Sequence, residues 1–288
     1  MFQSEEYYKV AGHVFQISIP DKFTCPANYK PFSVKKPEEV LFHLTITKTL
    51  YVEEGKQIGN FEDDAATIGV YAGSNGGYIF RISHPNGEHC CVMTTSADYK
   101  SSDVCFEGDS RYHIFGLDNC LMLLFAFASA PYSTLTIHGS VIKYKEKGYV
   151  FLGRSGTGKS THSRLWLEHI EGCELLNDDN PIVRIVNGKI MVYGSPWSGK
   201  TQCYKNESAE AGGFVRLQQK PVNNIELNSM AMAFAALKPS CSTAPWSKTV
   251  NDGVCNTLTD ILQNVKSYTL GCRPDKEAAE LCRNTITV

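Results

Sequence analysis

Gly153-Arg154-Ser155-Gly156-Thr157-Gly158-Lys159-Ser160 satisfies G-x-x-x-x-G-K-[ST] at every fixed position, the pattern of a phosphate-binding P-loop. Its surroundings agree. Tyr149-Val150-Phe151-Leu152 is a short apolar run suited to a buried strand, and residues 161–170 carry Leu165, Trp166 and Ile170 at helical spacing. Glycines at 153, 156 and 158 allow positive φ and bring backbone N–H groups close to an anion, where a side chain would collide. A helix opening near Lys159 adds unpaired N–H donors and the positive end of its dipole. The pattern places Lys159 on β- and γ-phosphates and Ser160 on Mg²⁺, with Arg154, Ser155, Thr157 and Thr161 completing the nucleotide loop.

The rest of the composition sets limits. A chain of 288 residues is comfortable for two domains. Its formal net charge of −2 gives no electrostatic reason to expect nucleic acid or an anionic membrane as partner. The 11 cysteines are an odd number without a C-x-x-C pair, the usage of a reduced cytoplasmic protein rather than of a disulfide or zinc framework. Cys90-Cys91 is adjacent on a strand-like run, where neighbours face opposite sides. Residues 1–10 are polar and acidic, unlike a signal peptide. The apolar run 117–130 falls short of the roughly 20 residues that span a bilayer, so it reads as a core helix.

Residues 1–116 read as a β-rich antiparallel domain. Phe15, Ile17 and Ile19 alternate with polar neighbours, as do Val40, Phe42, Leu44 and Ile46. Ser74-Asn75-Gly76-Gly77 and Pro85-Asn86-Gly87 separate the runs 68–72, 78–83 and 88–95, which gives a meander. Glu62-Asp63-Asp64 reads as a solvated loop, and His84, His89 and His113 as structural histidines.

Residues 117–288 read as the α/β domain that holds the P-loop, with the 117–131 helix at its edge. After the P-loop helix, Cys173-Glu174-Leu175-Leu176 is a short strand that delivers Asn177-Asp178-Asp179-Asn180, as P-loop enzymes deliver a carboxylate toward Mg²⁺. Asn187-Gly188 between apolar runs is a type I′ hairpin signal. It leads to Gly194-Ser195-Pro196-Trp197-Ser198-Gly199-Lys200-Thr201, which suits either a cover over a nucleotide or a structural turn. In the first case Lys200 would steady charge on a transferring phosphoryl group. Strands at 214–217 and 267–272 and helices at 229–237, 254–265 and after Pro274-Asp275 complete the domain.

His138-Gly139, the P-loop and Asn177-Asp178-Asp179-Asn180 together resemble the catalytic domain of the HPr kinase/phosphorylase family and related phosphoenolpyruvate-carboxykinase-type P-loop kinases, over residues 134–272. The resemblance implies a carboxykinase-like nucleotide-binding fold, ATP with Mg²⁺ as donor, and transfer to a serine-type hydroxyl of a protein or small molecule. It further implies His138 on the phosphate side, Lys159 and Ser160 on phosphate and metal, and Asp178 as proton acceptor, leaving Asp179 as the metal-side carboxylate. Two departures stand out: Thr161 follows Gly158-Lys159-Ser160 where those kinases have glutamate, and their Glu-Ile-Arg-Gly stretch is absent. A kinase is therefore expected, with a nucleotide-dependent binding module as the alternative. The sequence leaves the acceptor and any homo-oligomer open.

Overall fold

A computed structural model describes residues 2–21, 23–62, 66–199 and 201–287. The chain is mixed α/β with two large sheets, and it divides into two compact units: Met1–Ser129 with Ala244–Val250, and Ala130–Thr243 with Asn251–Val288.

The first unit carries β1 (Phe2–Val10), β2 (His13–Pro20), β3 (Ser33–Val34), β4 (His43–Thr47), β5 (Glu54–Glu62), β6 (Thr67–Gly73), β7 (Tyr78–Ser83), β8 (His89–Thr95) and β9 (Ser101–Phe106), followed by helix α1 (His113–Ser129). The sheet order is β3-β1-β2-β4-β9-β8-β7-β6-β5. From β5 to β9 it is the expected antiparallel meander. It is not antiparallel throughout, because β4 lies parallel to both β2 and β9. Alternation alone marks a strand as half-buried and cannot give the direction of its neighbour. Phe15, Ile17 and Ile19 on β2 are all buried, as their alternation requires. Asp63 and Asp64 of the acidic loop lie outside the described residues.

Helix α1 corrects the boundary drawn at 116/117. Its Phe125 meets Phe15 edge-on at 6.4 Å and its Phe127 lies 6.3 Å from Phe80, so the helix belongs to the first core. The helical stretch Ser110–Tyr132 has 23 residues, longer than the 117–130 run, and is long and apolar enough to cross a membrane. Two thirds of that apolar window, 67%, is buried within the protein, as in a core helix. A distant segment also returns to this unit. Trp246 donates its indole N–H to the Tyr99 hydroxyl (3.0 Å) and packs edge-on against Phe127. A Cβ at Gly59 would meet the Trp246 ring at 2.7 Å, so glycine admits the indole to β5.

The second unit contains β10 (Thr134–Thr136), β11 (Gly139–Tyr144), β12 (Lys147–Leu152), α2 (Lys159–His169), β13 (Cys173–Asp179), β14 (Ile182–Val186), β15 (Lys189–Tyr193), β16 (Ser208–Gln219), β17 (Asn224–Leu227), α3 (Met230–Leu237), α4 (Lys248–Asn264), β18 (Ser267–Cys272) and α5 (Lys276–Ile286). The main path runs β10-β14-β15-β16-β12-β11-β13. β16 is long enough to fork: its start pairs with β15 and its end with β18, while β12 runs along its other side. The neighbours β12, β16 and β18 are parallel, so their carboxyl ends emerge together. Asn187 and Gly188 both take positive φ, 51° and 78°, as a type I′ turn demands. Asp275 caps α5 by accepting from the Ala278 N–H (2.9 Å).

Trp166 anchors this core. Fully buried on α2, it packs within 5.8 Å of the Tyr149 and Phe151 rings of β12. At about 25 cal/mol per Å² and roughly 200 Å² for a buried aromatic, this contact gives on the order of 5 kcal/mol before entropy. It fixes the helix over the strand that precedes it, and so sets the loop between them.

Candidate functional site

The loop at 153–158 joins the carboxyl end of β12 to the start of α2. Gly153, Gly156 and Gly158 take φ of 156°, 78° and 102°. Two of them are required in different ways. A Cβ at Gly153 would sit 2.3 Å from the Thr157 hydroxyl, whereas Gly158 has open space and needs glycine for its left-handed conformation at the helix N-cap. The loop is braced by the Thr157 hydroxyl, which donates to the Arg154 carbonyl (2.7 Å), and by the Gln219 amide, which donates to the Gly156 carbonyl (3.1 Å).

Lys159 opens α2 with its side chain folded back under the loop. Its Nζ donates to the carbonyls of Gly153 (3.0 Å) and Arg154 (3.4 Å), and the residue is only 9% exposed. Burial lowers its pKa from the usual lysine value, while the carboxylates of Asp179 and Asp178 oppose the shift. A lysine so placed presents fixed positive charge beside free helix N–H groups, an arrangement that attracts anions.

The next residue reaches across to β13. Ser160 donates its hydroxyl to Asp178 Oδ1 (3.0 Å). The other carboxylate oxygen, Asp178 Oδ2, is buried with no hydrogen-bond partner. A buried, unsatisfied anionic oxygen is costly unless something positive meets it. The main chain of Asp178 is by contrast tightly held: its carbonyl accepts from the Gly199 N–H (2.6 Å) and the Ser198 hydroxyl (3.0 Å).

Asp179 points elsewhere. Its Oδ1 lies 3.4 Å from His138 Nδ1, and its Oδ2 accepts from the Asn180 amide (2.8 Å). Its φ is +126°, a conformation that costs a non-glycine residue of order 1–3 kcal/mol and that persists only where neighbours impose it. The neighbours are visible. Gly139 of β11 pairs opposite Asp179, Ser198 bridges it from the other side, and Asn177 and Ser195 beneath are fully buried. Asn177 donates to the Ser195 hydroxyl (3.2 Å) and the Trp197 carbonyl (3.1 Å), and Ser195 donates to the Asn180 carbonyl (2.6 Å).

The structure thus brings together Lys159, Ser160, Asp178, Asp179 and His138 around the loop, while Arg154 and Ser155 stand exposed on it and Thr161 lies one turn into α2. Lys200 lies outside the described residues. The segment before it, 194–199, is pinned to β13 through Ser195 and Trp197. Sequence reading missed a buried layer under the site: the Ser140 and Ser163 hydroxyls bond at 2.6 Å, and His162 Nε2 accepts the Trp166 indole N–H (3.1 Å). Burial pushes the His162 imidazole down to about 4, so it is neutral, as an accepting Nε2 requires. The only signal for this layer was polar residues on the inward face of an amphipathic helix. Among the described residues, no group of three or more His, Cys, Asp and Glu is set to hold a metal.

Neither a family model nor a curated protein matches the chain. Among solved structures, the HPr(Ser) kinase/phosphatase from Coxiella burnetii is similar with a TM-score of 0.32 and 14% identity, covering 52% of this chain and 88% of that one. A superposition that slight decides neither fold nor activity.

Proposed function

We propose that this chain is a P-loop kinase with a carboxykinase-like nucleotide-binding domain, which moves the terminal phosphoryl group of ATP to a serine-type hydroxyl on a protein or small molecule. The observation that carries the reading is the pairing of Ser160 with Asp178 at 3.0 Å, with Asp178 Oδ2 left buried and unpartnered beside a three-glycine loop. Hydroxyl and carboxylate oxygens suit Mg²⁺, which takes one or two carboxylates and leaves its other positions to phosphate and water. A larger cage is therefore not needed. Ser160 and Asp178 would hold the ion, which when bound neutralises charge on the phosphate oxygens.

This assignment exchanges the roles that the family resemblance gives to the two acids. Asp178 touches the hydroxyl expected on the metal, and Asp179 touches His138. Asp179, held by His138 and Asn180, is in our reading the group that accepts the proton of the attacking hydroxyl. Lys159 holds the β- and γ-phosphates, and the loop N–H groups from 154 to 160 orient them. The His138–Asp179 pair also favours an enzyme over a nucleotide-binding module, since binding alone requires no base.

Lys159→Ala tests the reading. ATP affinity measured by calorimetry is expected to fall at least about tenfold in a variant whose circular dichroism is unchanged, the loss of a charge-assisted contact to phosphate. Undiminished ATP affinity in the folded variant would remove the P-loop assignment.

A further inference from the structure

At the far end of β12 from the glycine loop, the second unit has a cleft of about 510 Å³, within the roughly 300–1,000 Å³ of small-molecule sites. Lys147 opens β12 and Gly153 follows its end, so at about 3.3 Å per residue the cleft and the loop lie roughly 20 Å apart. Two tight hairpins wall the cleft. Asn187-Gly188 turns β14 into β15, and Lys145-Glu146 turns β11 into β12. Lys145 and Glu146 take φ of 47° and 63°, although neither is the glycine or asparagine that a two-residue turn of this kind prefers. Between the hairpins β16 bulges: Gly148 pairs with Ala211 and Tyr149 with Gly213, which leaves Gly212 as the extra residue. A Cβ at Gly212 would meet the Tyr149 ring at 2.6 Å, so glycine admits that ring beside the bulge.

Among the described residues that line it, Lys145, Lys147, Lys189 and Lys266 are cations and Glu210 is the only carboxylate. In a chain of formal net charge −2 this is a local concentration of positive charge. Lys143 and Lys205 elsewhere on the same unit have carboxylate partners in Glu146 (3.7 Å) and Glu174 (3.4 Å), whereas among the described residues these four have none. All four are exposed, and the Lys266 carbonyl accepts from the Phe214 N–H (3.1 Å), which fixes its main chain against β16. A helix C-terminus attracts a cation, which accounts for Lys266 just past the end of α4 but not for the three on the hairpins. Like charges gathered in one concavity raise the potential there and draw anions in. We propose that this cleft binds a small polyanion, a molecule carrying two or more phosphate or carboxylate groups. Lysine meets such groups as a mobile point charge. The site is separate from the glycine loop and does not depend on the reading of that loop.

Calorimetry with inorganic tripolyphosphate and with citrate tests the proposal, in a Lys159→Ala chain so that the glycine loop does not compete. Saturable binding of at least one probe is expected, and the tighter of the two tells phosphate from carboxylate. Adding Lys147→Glu and Lys266→Glu should weaken it at least about tenfold, the loss of two charge-assisted contacts, in a variant whose circular dichroism is unchanged. In the unmodified protein, mass spectrometry should show the probe slowing acetylation of Lys147, Lys189 and Lys266 and not that of Lys100 in the first unit. This second measurement stands even if a variant fails to fold. Binding of neither probe to the Lys159→Ala chain, binding indifferent to the two charge reversals, or acetylation of the cleft lysines indifferent to both probes overturns the site.

Discussion

The two units distribute their buried polar groups differently. In the first, the buried polar side chains are few and dispersed in ones and twos: Gln16 on β2, the cross-strand neighbours Thr95 and Ser102, Ser129 at the end of α1, and Ser247, around a core dominated by Phe15, Phe42, Phe80 and Phe127. In the second most of them gather at one corner, where Ser140, Lys159, His162, Ser163, Asn177, Asp178 and Ser195 are all buried around the start of α2 and the end of β13. Each such group costs free energy unless it is paired, so a cluster persists where the neighbours satisfy one another or a ligand completes them. Most of this cluster is satisfied internally, and Asp178 Oδ2 is an exception at the mouth of the loop. The contrast is the reason the candidate site is placed in the second unit.

The largest effect expected is on transfer. Asp179→Asn should retain Mg·ATP binding and lose phosphoryl transfer by on the order of 10²-fold or more, as removal of a general base does. Single-turnover rates with an identified acceptor measure it. A variant that transfers normally would return the base to Asp178, and with it the role that the family resemblance implies.

Smaller effects distinguish the units through pH. His162, in the second unit, has its pKa pushed down to about 4 by burial. Between that value and its ordinary 6.5, the unfolded chain binds a proton that the folded one does not, so the second unit should lose stability as pH falls through this window. The effect is of order 3 kcal/mol. Asp118, in the first unit, accepts from the Tyr29 hydroxyl (2.7 Å), yet burial pushes its carboxyl up to about 6. Here the folded state binds the extra proton between about 4 and 6, so this group favours folding as pH falls. Thermal melts across that range, with His162→Gln and Asp118→Asn, should show each variant flattening its own component, in opposite directions. Variants that alter neither slope would contradict the burial of both groups.

Local features of the site were legible in the sequence because local sequence fixes them. The glycine spacing, the apolar strand before it, the strand into Asp178-Asp179 and the Asn187-Gly188 turn need only neighbours along the chain. Features made by distant residues were not. Nothing near Trp246 indicates that it packs with Phe127, so the chain's return to the first unit was missed. The fork of β16 depends on which partner reaches each end, β15 beside its start and β18 beside its end. The division of labour proposed for Asp178 and Asp179 rests on such distant contacts too. Adjacent acids look alike in sequence; here a 3.0 Å contact to Ser160 and a 3.4 Å contact to His138 tell them apart.

The magnesium dependence of ATP binding in Asp178→Asn tests the central claim most directly. Calorimetry across a magnesium titration should show the wild-type protein gaining ATP affinity with Mg²⁺, and Asp178→Asn losing most of that gain while recovering part of it at high Mg²⁺. An Asp178→Asn protein whose magnesium-dependent affinity matches wild type, while Asp179→Asn loses it, would contradict the account.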